Sequence, residues 1–160
     1  EVSCAALEGV VPEDHICGTE LEFDEDSGEV KAVKHVPAGY GKVAVLEQLE
    51  AREGTLPVHT IYVGDGSSDV HVMLHVNNRD GFTIAVSENR HLARIARRTL
   101  LSDSALSVMV PILGHAAGWG STRIRELFAS YGLTMQDWER ARTDRVTLRE
   151  IPALLRAESA

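Results

Sequence analysis

Two short apolar runs, HTIYV at residues 59–63 and FTIAV at residues 82–86, set the frame of this chain. Each has the length and β-branched content of a buried strand, and each is followed by a segment with helical spacing, near 69–76 and near 89–98. Strands that alternate with helices at this interval imply βαβ units and a parallel sheet. Upstream, HICGTELEF (15–23) and EVKAVKHV (29–36) flank the turn-rich DEDSG, the pattern of a β-hairpin. Residues 1–8 read as the end of a helix stopped by Gly9 and Pro12. A helix is expected from about Lys42 to Arg52, with Val43, Leu46 and Leu49 on one face and Gly54 as its stop.

Beyond about residue 115 the pattern becomes helical. Ser121 is placed to cap a helix carrying Ile124, Leu127, Phe128 and Tyr131 on one face, ended by Gly132. Thr134 and Asp137 resemble a capping box before Trp138, and Pro152 opens a last short helix. The expectation is therefore an α/β core over residues 1–115 and a helical extension over 116–160 packed on it.

Charge narrows the partners. The net charge is −8, and residues 1–80 carry 16 acids against 5 bases, whereas residues 81–160 carry 8 against 11. An acidic chain lacks the cationic footprint that nucleic-acid binding needs. The later arginines (Arg94, Arg97, Arg98, Arg140, Arg142, Arg145) are not interleaved with aromatics and read as solvated helix faces. The longest apolar runs, such as SVMVPIL, are too short to span a bilayer. Residues Glu1 to Cys4 carry neither the basic start nor the apolar stretch of a secretory signal. Cys4 and Cys17 form no metal-ligand spacing and read as two buried thiols in a reducing cytoplasm.

The first run ends in GDGSSD, a composition that core packing does not demand. A loop at the carboxyl end of a parallel strand is where open α/β sheets bind ligands. Gly64 and Gly66 permit a sharp turn and a close backbone approach, and Ser67 or Ser68 is placed to cap the next helix. The carboxylates of Asp65 and Asp69 repel each other unless a cation joins them, and such oxygen ligands suit Mg²⁺. The competing reading is a capping loop whose acids satisfy backbone amides. About one βα unit earlier, PAGYGK places Lys42 at a helix start, where the macrodipole disfavours a cation. That cost makes the lysine informative, because an amine on the same sheet edge would stabilise a phosphoryl group in flight.

Taken together, GYGK, IYVGDGSSD and FTIAVSEN resemble the second half of a haloacid dehalogenase-like (HAD) phosphohydrolase, closest in style to the phosphoserine phosphatases. The resemblance covers about residues 15–113 and implies the C-terminal portion of a Rossmann-like HAD core, a Mg²⁺ cofactor and a small phosphorylated metabolite as substrate. It implies that Lys42 is the charge-stabilising lysine and Asp65 the Mg²⁺-binding aspartate. Asp69 matches the second acid of that loop, a ligand or a supporting partner. Ser68 stands where relatives often carry Asn.

Such enzymes use an aspartate nucleophile in D-x-D-x-T at the end of an apolar strand. The carboxylate attacks phosphorus, the alcohol leaves, and water cleaves the aspartyl-phosphate. Asp24, Glu25 and Asp26 do spell D-x-D, but TELEF before them alternates and Ser27-Gly28 after them turns, so a hairpin tip is expected. Ser3 follows no apolar strand and is a poor phosphate-binding serine. With the nucleophile motif missing, the chain alone is expected to be inactive. Its parallel sheet is expected to need completion by an N-terminal segment or a second copy. The alternative is a non-catalytic metal- or protein-binding module on the same fold, and dehalogenase or phosphomutase chemistry is not separable by fold.

Two further patterns fail as sites. GYGKV has Val36 and Val43 where a phosphate-binding P-loop needs Gly and Ser or Thr. His71 and His75 stand four apart, but Val72 occupies the place of the glutamate in H-E-x-x-H. Asp103 reads as a helix cap, and Trp119 and Trp138 as core or docking residues of the helical tail.

Overall fold

The computed structural model describes residues 2–102 and 104–133. The expectations for Asp103, Thr134, Asp137, Trp138 and Pro152 lie outside the described residues. The chain divides between Thr55 and Leu56 into two compact units.

The first unit opens with helix α1 (Val2–Ala6) and then forms an antiparallel hairpin of β1 (Glu20–Phe23) and β2 (Val30–His35). The strand expected from residue 15 begins only at Glu20, because Glu13–His15 form a 3₁₀ turn. At the tip, the Asp24 carboxylate accepts the amides of Asp26 and Ser27 and the Ser27 hydroxyl, at 2.9–3.1 Å. Those donors, Ser27 foremost, hold the Asp24 carboxyl below the usual carboxylate range. Gly28, at φ 71°, supplies the left-handed residue that closes the turn. The D-x-D of this chain is thus a turn device, as its surroundings predict.

Helix α2 (Tyr40–Glu53) follows and ends on Gly54 in the left-handed conformation (φ 62°), whose amide bonds the Glu50 carbonyl. Its face of Val43, Leu46 and Leu49 is half-buried. The two cysteines differ from expectation: Cys17 is exposed and Cys4 only half-buried. Cys17 lies in the link between the 3₁₀ turn and β1.

The second unit is an α/β layer structure. Strands β3 (Ile61–Gly64), β4 (Phe82–Ala85) and β5 (Arg98–Thr99) form a parallel sheet in the order β3-β4-β5. Helices α3 (Val70–Asn78) and α4 (Arg90–Ile95) provide the connections. The helix expected to reach residue 98 stops at Ile95, with Ala96 already extended, and the chain enters β5 instead. The Arg97 amide donates to the hydroxyl of the fully buried Thr83 (3.0 Å), and Thr83 donates to Asn77 Oδ1 (2.8 Å). Asn77 in turn donates to the Ile95 carbonyl (2.7 Å), closing a network that satisfies the polar groups where helix becomes strand.

Both faces of the central strand β4 are covered, as a parallel sheet requires, while Val63 of β3 stays exposed. On one face Met73, Ala85 and Leu92 pack with Tyr62, Val70 and Ile95. On the other, Phe82, Ile84 and Leu100 pack with Ile61, Val108 and Ile112. The latter two belong to a 3₁₀ turn (Ala105–Val108) and helix α5 (Met109–His115), whose terminal His115 ring stacks on Phe82 at 3.9 Å between centroids. Helix α6 (Ser121–Ser130) packs on α5 through Ile124 and Phe128 against Val110. Its cap position is Gly120 rather than Ser121, and Tyr131, expected on the apolar face, is mostly exposed. Trp119 joins that cluster and carries the Arg123 guanidinium over its ring at 3.8 Å, a cation–π contact. None of the helices among the described residues is long and apolar enough to cross a membrane.

Candidate functional site in the loop after the first parallel strand

Strand β3 delivers its last residue, Gly64, opposite Ala85, and its carbonyl accepts the Val86 amide at 2.8 Å. The chain then leaves the sheet through Asp65 and Gly66, makes a 3₁₀ turn at Ser67–Asp69, and enters α3. This helix forms because Val72, Met73 and Val76 recur at helical spacing and are all buried on the sheet. The 3₁₀ turn moves both serines ahead of the cap position, which falls to Asp69.

Asp69 is the organising residue of the loop. It is only 2% exposed. Its Oδ2 accepts the amides of Asp65 and Gly66, each at 3.0 Å, and its Oδ1 accepts the hydroxyl of Tyr62 at 2.7 Å. Charge-assisted bonds of this length offset the desolvation of a buried carboxylate. The two glycines are not equivalent. A Cβ on Gly64 would lie 2.7 Å from the Asp69 Cβ and Cγ, whereas one on Gly66 would meet nothing closer than 4.0 Å. Only Gly64 is demanded by close approach; Gly66 is in extended backbone (φ −129°).

Asp65 stands in contrast. It is exposed at the carboxyl end of β3, and no side-chain hydrogen bond or ion pair engages its carboxylate among the described residues. The loop therefore holds one acid satisfied by the protein and, four residues earlier, one open to solvent. Magnesium ions commonly bind through one or two carboxylates while retaining water, so the open carboxylate has the character such an ion needs. No group of three or more His, Cys, Asp or Glu side chains suited to a metal occurs among the described residues.

Tyr62 is the participant that sequence reasoning missed. Its ring packs with Met73, Ala85 and Leu92 while its hydroxyl reaches Asp69. The available signal was a tyrosine within an apolar strand, on the same strand face as Gly64. Burial first, then the bond to Asp69 and the nearby carboxylate charges, raise the phenol well above its ordinary value. A raised folded pKa keeps the proton on the folded state. The associated stabilisation is whole below the ordinary phenol value of about 10 and is lost as pH climbs toward the higher folded value. Urea midpoints measured from pH 8 to 11.5 should fall more steeply for the wild type than for Tyr62→Phe above about pH 10. Parallel slopes would show that the phenol keeps no special hold on its proton.

Lys42 belongs to the first unit and is the third residue of α2, half-buried. The preceding glycines have structural duties. Gly39 takes φ 54°, and a Cβ on Gly41 would lie 2.7 Å from the Val36 carbonyl oxygen. The tight turn so formed sets Lys42 in the first turn of the helix. The structure thus brings Asp65 and Asp69 into one loop and places Lys42 on a separate unit. On α3, His75 Nε2 lies 2.8 Å from an Arg79 guanidinium nitrogen.

Comparison of the chain with protein-family models, with curated proteins and with solved structures gave no match in any of the three.

Proposed function

We propose that this chain contributes the lysine and metal-loop portion of a HAD-like, Mg²⁺-dependent phosphomonoester hydrolase. The observation that carries the reading is the pairing of an exposed, unengaged Asp65 carboxylate with a buried, fully hydrogen-bonded Asp69, at the carboxyl end of a parallel strand. In this reading Asp65 is the metal ligand, Asp69 holds the loop that presents it, and Lys42 neutralises charge on the phosphoryl group. Bound Mg²⁺ would supply electrostatic stabilisation of the phosphoryl oxygens. The substrate class is a small phosphorylated metabolite, and the fold is the Rossmann-like HAD core.

A second reading has its own support. The sequence contains no D-x-D-x-T, and its one D-x-D is consumed by a hairpin turn. On that ground the 160 residues act as a metal- or protein-binding module without turnover.

Divalent-ion binding tests the common premise. Mn²⁺, a spectroscopic substitute for Mg²⁺, should bind the chain, broaden the Asp65 and Gly66 amide resonances first, and be displaced by Mg²⁺. Asp65→Asn should weaken binding by at least about tenfold, as loss of an anionic ligand does. Mn²⁺ binding that ignores Asp65→Asn would place the ion elsewhere and remove the basis of both metal readings.

A further inference from the structure

We infer that Tyr62 is a positioning residue for Asp65, acting through Asp69; this rests on the reading of Asp65 as a metal ligand. The chain of contacts is short and directional. The Tyr62 hydroxyl donates to Asp69 Oδ1 at 2.7 Å, which leaves Oδ2 turned toward the loop. Oδ2 then receives the amides of both Asp65 and Gly66 at 3.0 Å. Those two amides belong to the peptide planes on either side of the Asp65 Cα, so the direction in which the Asp65 Cα–Cβ bond leaves the loop follows from how one buried carboxylate is held.

On its other side the Asp69 side chain occupies the space that a Cβ on Gly64 would take. The phenol supplies what sterics alone do not: a donor for the oxygen that faces away from the loop. The ring is anchored against Met73, Ala85 and Leu92. A phenylalanine would fill the same space, so the hydroxyl is what the loop uses. Without it, Oδ1 of a residue 2% exposed loses a charge-assisted bond, and the carboxylate is free to turn away from the loop amides.

Groups that orient a metal ligand from behind typically alter affinity by about 10- to 100-fold when removed. Tyr62→Phe should therefore retain its circular dichroism and the exchange protection of the Leu100 amide, which bonds the Ala85 carbonyl inside the sheet. It should lose protection at the Asp65 and Gly66 amides and bind Mn²⁺ at least about tenfold more weakly. Installing 4-aminophenylalanine at position 62, which keeps the ring and restores an N–H donor, should recover most of both losses. Unchanged Mn²⁺ affinity in Tyr62→Phe, alongside a clear defect in Asp65→Asn, overturns the positioning role while the metal reading stands. Equal Mn²⁺ binding by wild type and Asp65→Asn overturns both. A defect in Tyr62→Phe that the aminophenylalanine variant fails to repair shows that a donor at this position is not what holds the loop and also rejects the role.

Discussion

In a form of the protein that carries a D-x-D-x-T strand, Asp65→Asn and Lys42→Ala are each expected to lower Mg²⁺-dependent release of phosphate by about 10²- to 10³-fold, the usual cost of losing one preorganised charge in an active site. The two variants should fail differently. Asp65→Asn keeps the shape of the side chain and removes the charge that attracts the ion, so part of its loss should be recovered at high Mg²⁺. Lys42→Ala removes a fixed cation that no added metal replaces, so its loss should persist at saturating Mg²⁺. Lys42 sits in the first turn of α2, where the helix dipole opposes a positive charge. Small phosphomonoesters such as p-nitrophenyl phosphate suffice for the assay, with added chelator as the control. Activity that survives both substitutions, or that continues in excess chelator, would mean that these residues are not the site.

The largest effect on stability is expected at Asp69. Asp69→Ala strips the acceptor from two backbone amides and one phenol, at a residue 2% exposed. Leaving a buried donor unpaired costs roughly 1–3 kcal/mol, and less where water reaches it as it does at the exposed Asp65, so a loss of about 2–3 kcal/mol is anticipated. Asp69→Asn is no remedy, because its amide group would present N–H to one set of donors or the other. Ser67→Ala, two residues away and exposed, should stay within about 0.5 kcal/mol of wild type. Urea unfolding of the three variants separates these outcomes. A loss below about 1 kcal/mol for Asp69→Ala would show that water serves the loop amides as well as the carboxylate does.

Much of the α/β pattern is legible from residue order. FTIAV supplies β4, buried along its whole length as a continuous apolar run suits, whereas HTIYV supplies β3 only from Ile61, since His59 ends a 3₁₀ turn and Val63 stays exposed. The hairpin, shorter in its first strand than expected, the Gly54 stop of α2 and the turn at Asp24 are local signals that residue order carries. What was illegible depends on distant partners. Arg98–Thr99 has no strand signature of its own; it becomes β5 because Ile84 and Ala85 offer it a ladder and Thr83 takes the Arg97 amide. The exposure of Cys17 and the shift of both serines off the cap position likewise follow from how neighbouring turns are built.

The loop after β3 shows the same division. Residue order alone determined that two acids flank a glycine-containing turn at the end of a strand, since spacing and turn chemistry are local. Which acid is spent on the protein and which is left to solvent was decided by tertiary structure. The answer depends on Tyr62, seven residues before Asp69, meeting its carboxylate across the turn, and on Gly64 leaving room for it. Hydrogen bonds are short-ranged and directional, so they select between chemically identical side chains only once the backbone has brought their donors within reach.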